Sequence, residues 1–170
     1  MIVIADDITG AAEIAGIAFS KGHQGSLVCG EGVATNQITV IATDTRSMTE
    51  AEAIAETKQL SFLISHHSSL IYKKTDSALR GHVVAELEAL MQATGYKRAV
   101  YLPANPSKGR IVRNGIYYIG ETPIAETAFS YDPEFPAKTS ALRERFPDAE
   151  EKGIIMPDAE SEEDIRRIIT

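Results

Sequence analysis

MIVIADDITGAAEIAGIAFSKG, residues 1–22, decides the fold. Ile2–Ala5 is a short unbroken apolar run that ends on polar residues, the pattern of a buried strand. Residues 10–21 follow as a helix, and Gly22 is its natural C-terminal cap. The small residues Gly10, Ala11, Ala15, Gly16 and Ala18 predict a helix face that lies close against a sheet. The alternation continues downstream. Ser26–Cys29 and Ile38–Ala42 read as the second and third strands. Thr49-Glu50-Ala51-Glu52 is a capping box, hydroxyl and carboxylate three apart, that opens a helix running to about Ser65. Leu70–Tyr72 reads as a fourth strand, and KKTDSALRG (73–81) as the loop after it. A helix from about His82 to Thr94 puts Val83, Leu87, Leu90 and Met91 on one face, with Gly95 past its end. Ala99–Leu102 reads as a fifth strand. This order predicts an α/β fold of three αβα layers around a largely parallel sheet.

The pattern then changes. Residues 111–119 centre on Asn114-Gly115, the signal of a β-hairpin. Pro123, Pro133 and Pro136 keep the next stretch irregular. A short helix is expected over 139–146, a last strand over 153–156, and a helix over 161–170 opened by Ser161 and Asp164. Ile165, Ile168 and Ile169 of that helix still seek a core. There is no repeat or low-complexity linker, and 170 residues read as a single domain, 1–170.

Composition removes several function classes. The single Cys29 excludes a disulfide scaffold and a Cys-based zinc site, and is expected to be a small buried hydrophobe. No apolar run approaches the roughly 18 residues of a membrane span. The N-terminus carries no basic leader, so a reducing cytoplasm is the expected location. The net charge of −7 argues against nucleic acid as a partner. That charge is uneven: residues 131–170 hold eleven acids and six bases, while residues 1–130 are nearly balanced. His66 and His67 fall near a helix end, where dipole or solvent roles outweigh metal binding, and His23 and His82 are isolated. No metal site is predicted.

In open parallel sheets, ligands bind beyond the carboxyl ends of the strands. Several strands here end in polar residues at that edge: Asp6 and Asp7; Asp44 and Arg46; Lys73, Lys74, Thr75, Asp76 and Ser77; then Asn105, Lys108 and Arg110. A lone Asp after a strand is more often a helix cap, but several such loops on one edge make a site. The residue types suit a small polar anion. Lys and Arg hold a carboxylate, and Asp, Ser and Thr bind sugar hydroxyls. A carboxylate at Asp6 or Asp7 is suited to remove a proton from a hydroxyl. There is no GxxxxGK[ST] or GxGxxG, so no standard nucleotide-phosphate cradle is present.

IADDITGA (4–11), ATDTRSM (42–48), YKKTDSALRGHVVAELEAL (72–90), PANPSKGR (103–110), NGIYYIGETPIAETAFSYDP (114–133) and IIMPDAESEEDI (154–165) carry a resemblance over essentially the whole chain. The sequence resembles the N-terminal domain of the four-carbon acid sugar kinases. The resemblance implies an ATP-dependent kinase that phosphorylates the terminal hydroxyl of threonate, erythronate or oxo-tetronate. By position it assigns catalysis to Asp6 or Asp7, and sugar-acid binding to Arg46, Lys74, Thr75, Asp76 and Ser77, with Arg80 and Arg110 as additions. Ala78 stands where the family usually has Thr. In the family a larger C-terminal domain holds ATP with Mg²⁺, and that half is absent from these residues. The chain is therefore expected to be an excised or split N-terminal half that binds the sugar acid, binds neither ATP nor Mg²⁺ by itself, and is inactive alone.

Two other readings stand beside this one. One is a phospho-aspartate phosphatase or receiver-like domain, suggested by the acid pair after strand one. The other is a non-catalytic sugar-acid-binding or assembly module. Its face at Ile165, Ile168 and Ile169 would meet a partner domain or form a homodimer.

Overall fold

The computed structural model describes residues 1–29, 37–64 and 70–170, with the backbone alone at 61–64. Ser65, His66 and His67 lie outside the described residues. Two compact units are present: residues 1–76 with 80–95, and residues 77–79 with 96–170.

The first unit runs β1 (Ile2–Ala5), α1 (Ile8–Ser20), β2 (Gly25–Cys29), β3 (Ile38–Ala42), α2 (Glu50–Ile64), β4 (Ile71–Lys74) and α3 (Val83–Thr94). Its four strands are all parallel, in the order β2-β3-β1-β4. Strand side chains alternate between faces, and both faces here are covered. Ile2, Ile4 and Ile41 pack with Leu60 of α2 and Leu90 of α3. On the opposite face Val3, Ala5, Ile38 and Val40 pack with Ala11 and Ala18 of α1. Central β1 is buried on both sides, which is why its sequence is an unbroken apolar run. Complete burial of side chains such as Val3 and Ile4 contributes about 1.5–3 kcal/mol each. The predicted α/β layering and the Thr49–Glu52 capping box are both present. So is the buried face of Val83, Leu87, Leu90 and Met91. No helix among the described residues is long and apolar enough to cross a membrane.

Three expectations change in this unit. Cys29 is exposed, not buried, because it ends the edge strand β2, whose alternate residues face outward. Gly16 is exposed, with nothing within 4 Å of a Cβ there, so the close face of α1 is Gly10, Ala11, Ala15 and Ala18. The fourth strand extends to Lys74, because Lys73 and Lys74 pair in register with Ile4 and Ala5. An apolar-run reading stops at the first lysine.

The second unit runs β5 (Ala99–Val100), β6 (Arg110–Arg113), β7 (Ile116–Ile119), β8 (Thr122–Pro123), α4 (Leu142–Arg145), β9 (Ile154–Ile155) and α5 (Glu162–Ile169). β6, β7 and β8 form an antiparallel sheet. Asn114 and Gly115 turn the hairpin with φ of 52° and 73°, the left-handed pair a two-residue turn requires. The fifth strand does not join the four-stranded sheet. It pairs in parallel with β9, Ala99 opposite Ile154; periodicity identifies a strand but not its partner. Tyr117, Val112, Ile124, Leu142 and Ile154 are buried. The Ser161–Asp164 capping box opens α5 as predicted. Ile165 and Ile168 are half-buried, and Ile169 is exposed.

Candidate functional site

β1 and β3 are neighbours, but the chain leaves them on opposite faces: β1 leads to α1, and β3 leads to α2. The loops part at that point, at the carboxyl ends of the strands, the edge at which open parallel sheets bind ligands. Asp6 and Asp7 reach this edge from β1, Thr43 to Arg46 from β3, and Thr75 and Asp76 from β4.

Arg46 is the centre of this cluster. Its Nε and Nη2 donate to the two oxygens of Asp6 at 2.9 and 3.0 Å, a fork-on-fork pair. Its Nη1 donates to Asp7 Oδ2 at 2.7 Å, and its Nη2 lies 3.7 Å from Asp76 Oδ1. Arg80 makes a second fork, Nε and Nη2 to the oxygens of Asp76 at 2.9 and 3.0 Å. Asp6 is buried, and burial pushes its carboxyl above the ordinary value against the opposing pull of Arg46 and Lys73. Burial works against the Arg46 charge too, but Asp6, Asp76 and Asp7 outweigh it, so its pKa is raised and the guanidinium stays charged.

Asp7 has two tasks. It is the N-cap of α1, its Oδ1 accepting from Gly10 N–H at 2.7 Å, while Oδ2 holds Arg46. Lys74 sits beside it. Its Nζ donates to the Thr75 carbonyl at 3.0 Å and lies 3.7 Å from Glu13. A Cβ at Gly10 would stand 2.8 Å from Asp7 Oδ1 and 3.5 Å from Lys74 Nζ. Gly10→Ala is therefore expected to displace the capping carboxylate and to lower stability by about 1–3 kcal/mol, read by urea denaturation. A stability equal to wild type would contradict the close approach.

Beneath the cluster runs a buried polar chain that the sequence reading did not select. Lys73 Nζ donates to Glu86 Oε2 at 2.6 Å, and the two side chains are 3% and 2% exposed. Thr45 Oγ1 donates to the same oxygen at 2.8 Å. Thr43 Oγ1 lies 2.9 Å from Thr45 Oγ1 and donates its proton to the Ala5 carbonyl. Lys73 and Lys74 diverge because adjacent strand residues face opposite ways. A signal for Glu86 was present: it lies three residues after Val83 and four before Leu90, inside the apolar stripe of α3. His82, read as isolated, donates from Nε2 to the Met48 carbonyl at 2.7 Å.

Of the selected residues, Asp6, Asp7, Arg46, Lys74, Thr75, Asp76 and Arg80 all belong to the first unit, and Ser77 and Arg110 to the second. Within the second unit Arg110 Nη1 and Tyr117 Oη both donate to the Ser77 carbonyl. Arg145 donates to the Leu79 carbonyl from Nε and Nη2, at 3.3 and 2.9 Å. Leu79 is buried with a left-handed φ of 62°. Arg110 thus holds loop backbone, as do Tyr117 and Arg145, which the sequence reading did not select.

No group of three or more His, Cys, Asp or Glu among the described residues is arranged to hold a metal ion. Nor do these residues fit a nucleotide phosphate at the strand-to-helix turn. The N-terminus of α1, where such a phosphate would sit, already has the Asp7 carboxylate on it.

A family model described as a sugar-binding N-terminal domain matches residues 1–149. The chain is 32% identical over 150 residues to D-threonate kinase of Bordetella bronchiseptica, covering 82% of this chain and 37% of that one. It is 32% identical over 151 residues to 3-oxo-tetronate kinase of Escherichia coli, covering 82% and 38%. It thus spans little more than a third of the length of these relatives. A Bordetella bronchiseptica protein solved with bound citrate as a domain-swapped dimer superimposes with a TM-score of 0.84 at 26% identity. That match covers 98% of this chain and 49% of the other.

Proposed function

The chain belongs to the family of sugar-binding N-terminal domains, and from that premise we propose that it is the substrate-holding part of a kinase for four-carbon sugar acids. The observation that carries the reading is the convergence of Asp7, Arg46, Lys74 and Asp76 at one edge of a parallel sheet. Relatives that match over this region are named for D-threonate and 3-oxo-tetronate. The citrate held by the solved neighbour is likewise a hydroxy acid rich in carboxylate.

The geometry divides the roles. Asp6 is enclosed, and both its oxygens are engaged by Arg46, so its part is to hold the guanidinium. The Asp7 side chain is 20% exposed, and each of its oxygens keeps a free lone-pair site. Asp7 is thus the carboxylate that meets a substrate hydroxyl and accepts its proton. Lys74, 17% exposed beside it, is the cation for the substrate carboxylate. The phosphoryl donor, ATP with Mg²⁺ by the family resemblance, is held outside these residues. Phosphoryl transfer is mostly positioning and charge neutralisation, so this chain alone binds without turnover. A phospho-aspartate role for Asp6 is less favoured, since its carboxylate is enclosed and forked to Arg46.

Isothermal calorimetry with D-threonate, D-erythronate and their 3-oxo analogues tests the reading. Saturable heat with at least one of them is expected, weakened about tenfold or more by Lys74→Met, which removes one charge-assisted contact. No heat with any four-carbon acid would overturn the assignment.

A further inference from the structure

We propose that Glu86 is a positioning residue for Arg46, acting through the buried hydroxyl of Thr45. The inference rests on the preceding reading for its functional consequence, but not for its geometry. Thr45 precedes Arg46 on the same 3-10 turn, Thr45–Ser47. That turn is entered through Asp44 in the left-handed region at φ 57°, a conformation that needs support from its neighbours. Support comes from inside the fold. Thr45 is fully buried, and its one side-chain polar atom, Oγ1, donates to Glu86.

One oxygen of Glu86 therefore ties three elements: β4 through Lys73, α3 through its own backbone, and the turn through Thr45. The Thr43 hydroxyl, 2.9 Å from that of Thr45, donates separately to the Ala5 carbonyl, directly behind Asp6. Packing alone does not account for a carboxylate here. Glu86 occupies a position in the apolar stripe of α3 where a leucine would bury more cheaply. What a leucine lacks is an acceptor for Lys73 and for Thr45; the Lys73→Met background removes the first need and leaves the second.

Two variants separate positioning from packing. Thr45→Val keeps shape and removes the hydroxyl; Thr45→Ser keeps the hydroxyl. The readout is the Arg46 Nε–H resonance, assigned by its loss in Arg46→Lys, and its protection from solvent exchange. D-threonate affinity is measured alongside. Thr45→Val is expected to remain folded by its amide dispersion, to lose Arg46 Nε–H protection, and to weaken D-threonate about tenfold or more. Thr45→Ser is expected to retain both. If Thr45→Val does not fold, the pair Lys73→Met/Glu86→Gln and Lys73→Met/Glu86→Leu decides. The first keeps an acceptor for Thr45 and is expected to retain the protected resonance; the second is expected to lose it. Retention of Arg46 protection in folded Thr45→Val, or in Lys73→Met/Glu86→Leu, would overturn the proposal. Failure of the wild-type chain to bind any sugar acid would instead refute the functional reading, while the Arg46 resonance still decides the positioning role.

Discussion

Arg46→Met is expected to lower the free energy of unfolding by about 3–5 kcal/mol at neutral pH, the cost of leaving a buried charge uncompensated. For a domain whose whole stability is about 5–15 kcal/mol, that is a large fraction. The cause is Asp6, which is 2% exposed and loses both of its donors at once. The effect carries a pH signature. Burial already raises the Asp6 carboxyl while Arg46 pulls it down. Without Arg46 the folded-state value rises further above the unfolded one. The folded variant then holds a proton where the unfolded chain does not, so its stability falls as pH rises through that window. The deficit relative to wild type should be greatest at neutral pH and should shrink on acidification. Urea denaturation at neutral pH and at about pH 5 reads this directly. A deficit under about 1 kcal/mol, the scale of an exposed ion pair, or one independent of pH, would show that Asp6 is not dependent on Arg46.

The second large effect is expected at Lys73→Met. It strands the Glu86 carboxylate 1% exposed within the unit, again at about 3–5 kcal/mol. Adding Glu86→Leu should recover part of the loss, because the two apolar side chains need no partners and only the Thr45 hydroxyl loses its carboxylate acceptor. Four denaturation curves make the double-mutant cycle, and a strong coupling between the two positions is the expected result. Simple additivity would count against the pair. Arg113 and Glu160 provide the internal contrast. They are also 2.6 Å apart, but are 42% and 46% exposed, and breaking that pair should leave the denaturation midpoint close to that of the wild type. Distance is equal in the two pairs; solvent decides.

The layers of the first unit were legible because burial on both faces of a parallel sheet writes itself as apolar runs, unbroken in Ile2–Ala5 and interrupted only by Thr39 in Ile38–Ala42. Turn and cap chemistry was legible too, at Asn114-Gly115, Thr49–Glu52 and Ser161–Asp164, since each depends on residues close in sequence. Strand pairing was not: nothing local to Ala99 names Ile154 as its neighbour. Cys29 was misjudged because a residue's average tendency to be buried says nothing of whether its strand lies at an edge. At the site, the loops after β1, β3 and β4 could be placed on one edge from topology alone. Which carboxylate would be sealed and which left open could not. Asp6 and Asp7 are adjacent in sequence, and only the fork of Arg46, 40 and 39 residues away, distinguishes them.

The loop between Asp76 and Arg80 also sets an order of completion in time. Ser77 and Leu79 are anchored by side chains 33, 40 and 66 residues further along, on Arg110, Tyr117 and Arg145. Translation delivers those anchors last. At about 5–20 residues per second, Arg145 leaves the ribosome roughly 3–10 s after the final helix of the first unit. During synthesis the parallel sheet can therefore close with Asp6, Asp7 and Arg46 in place while the 77–79 segment still lacks its holders. A nascent chain halted before position 145 should carry a folded sheet and an unfinished loop at 77–79.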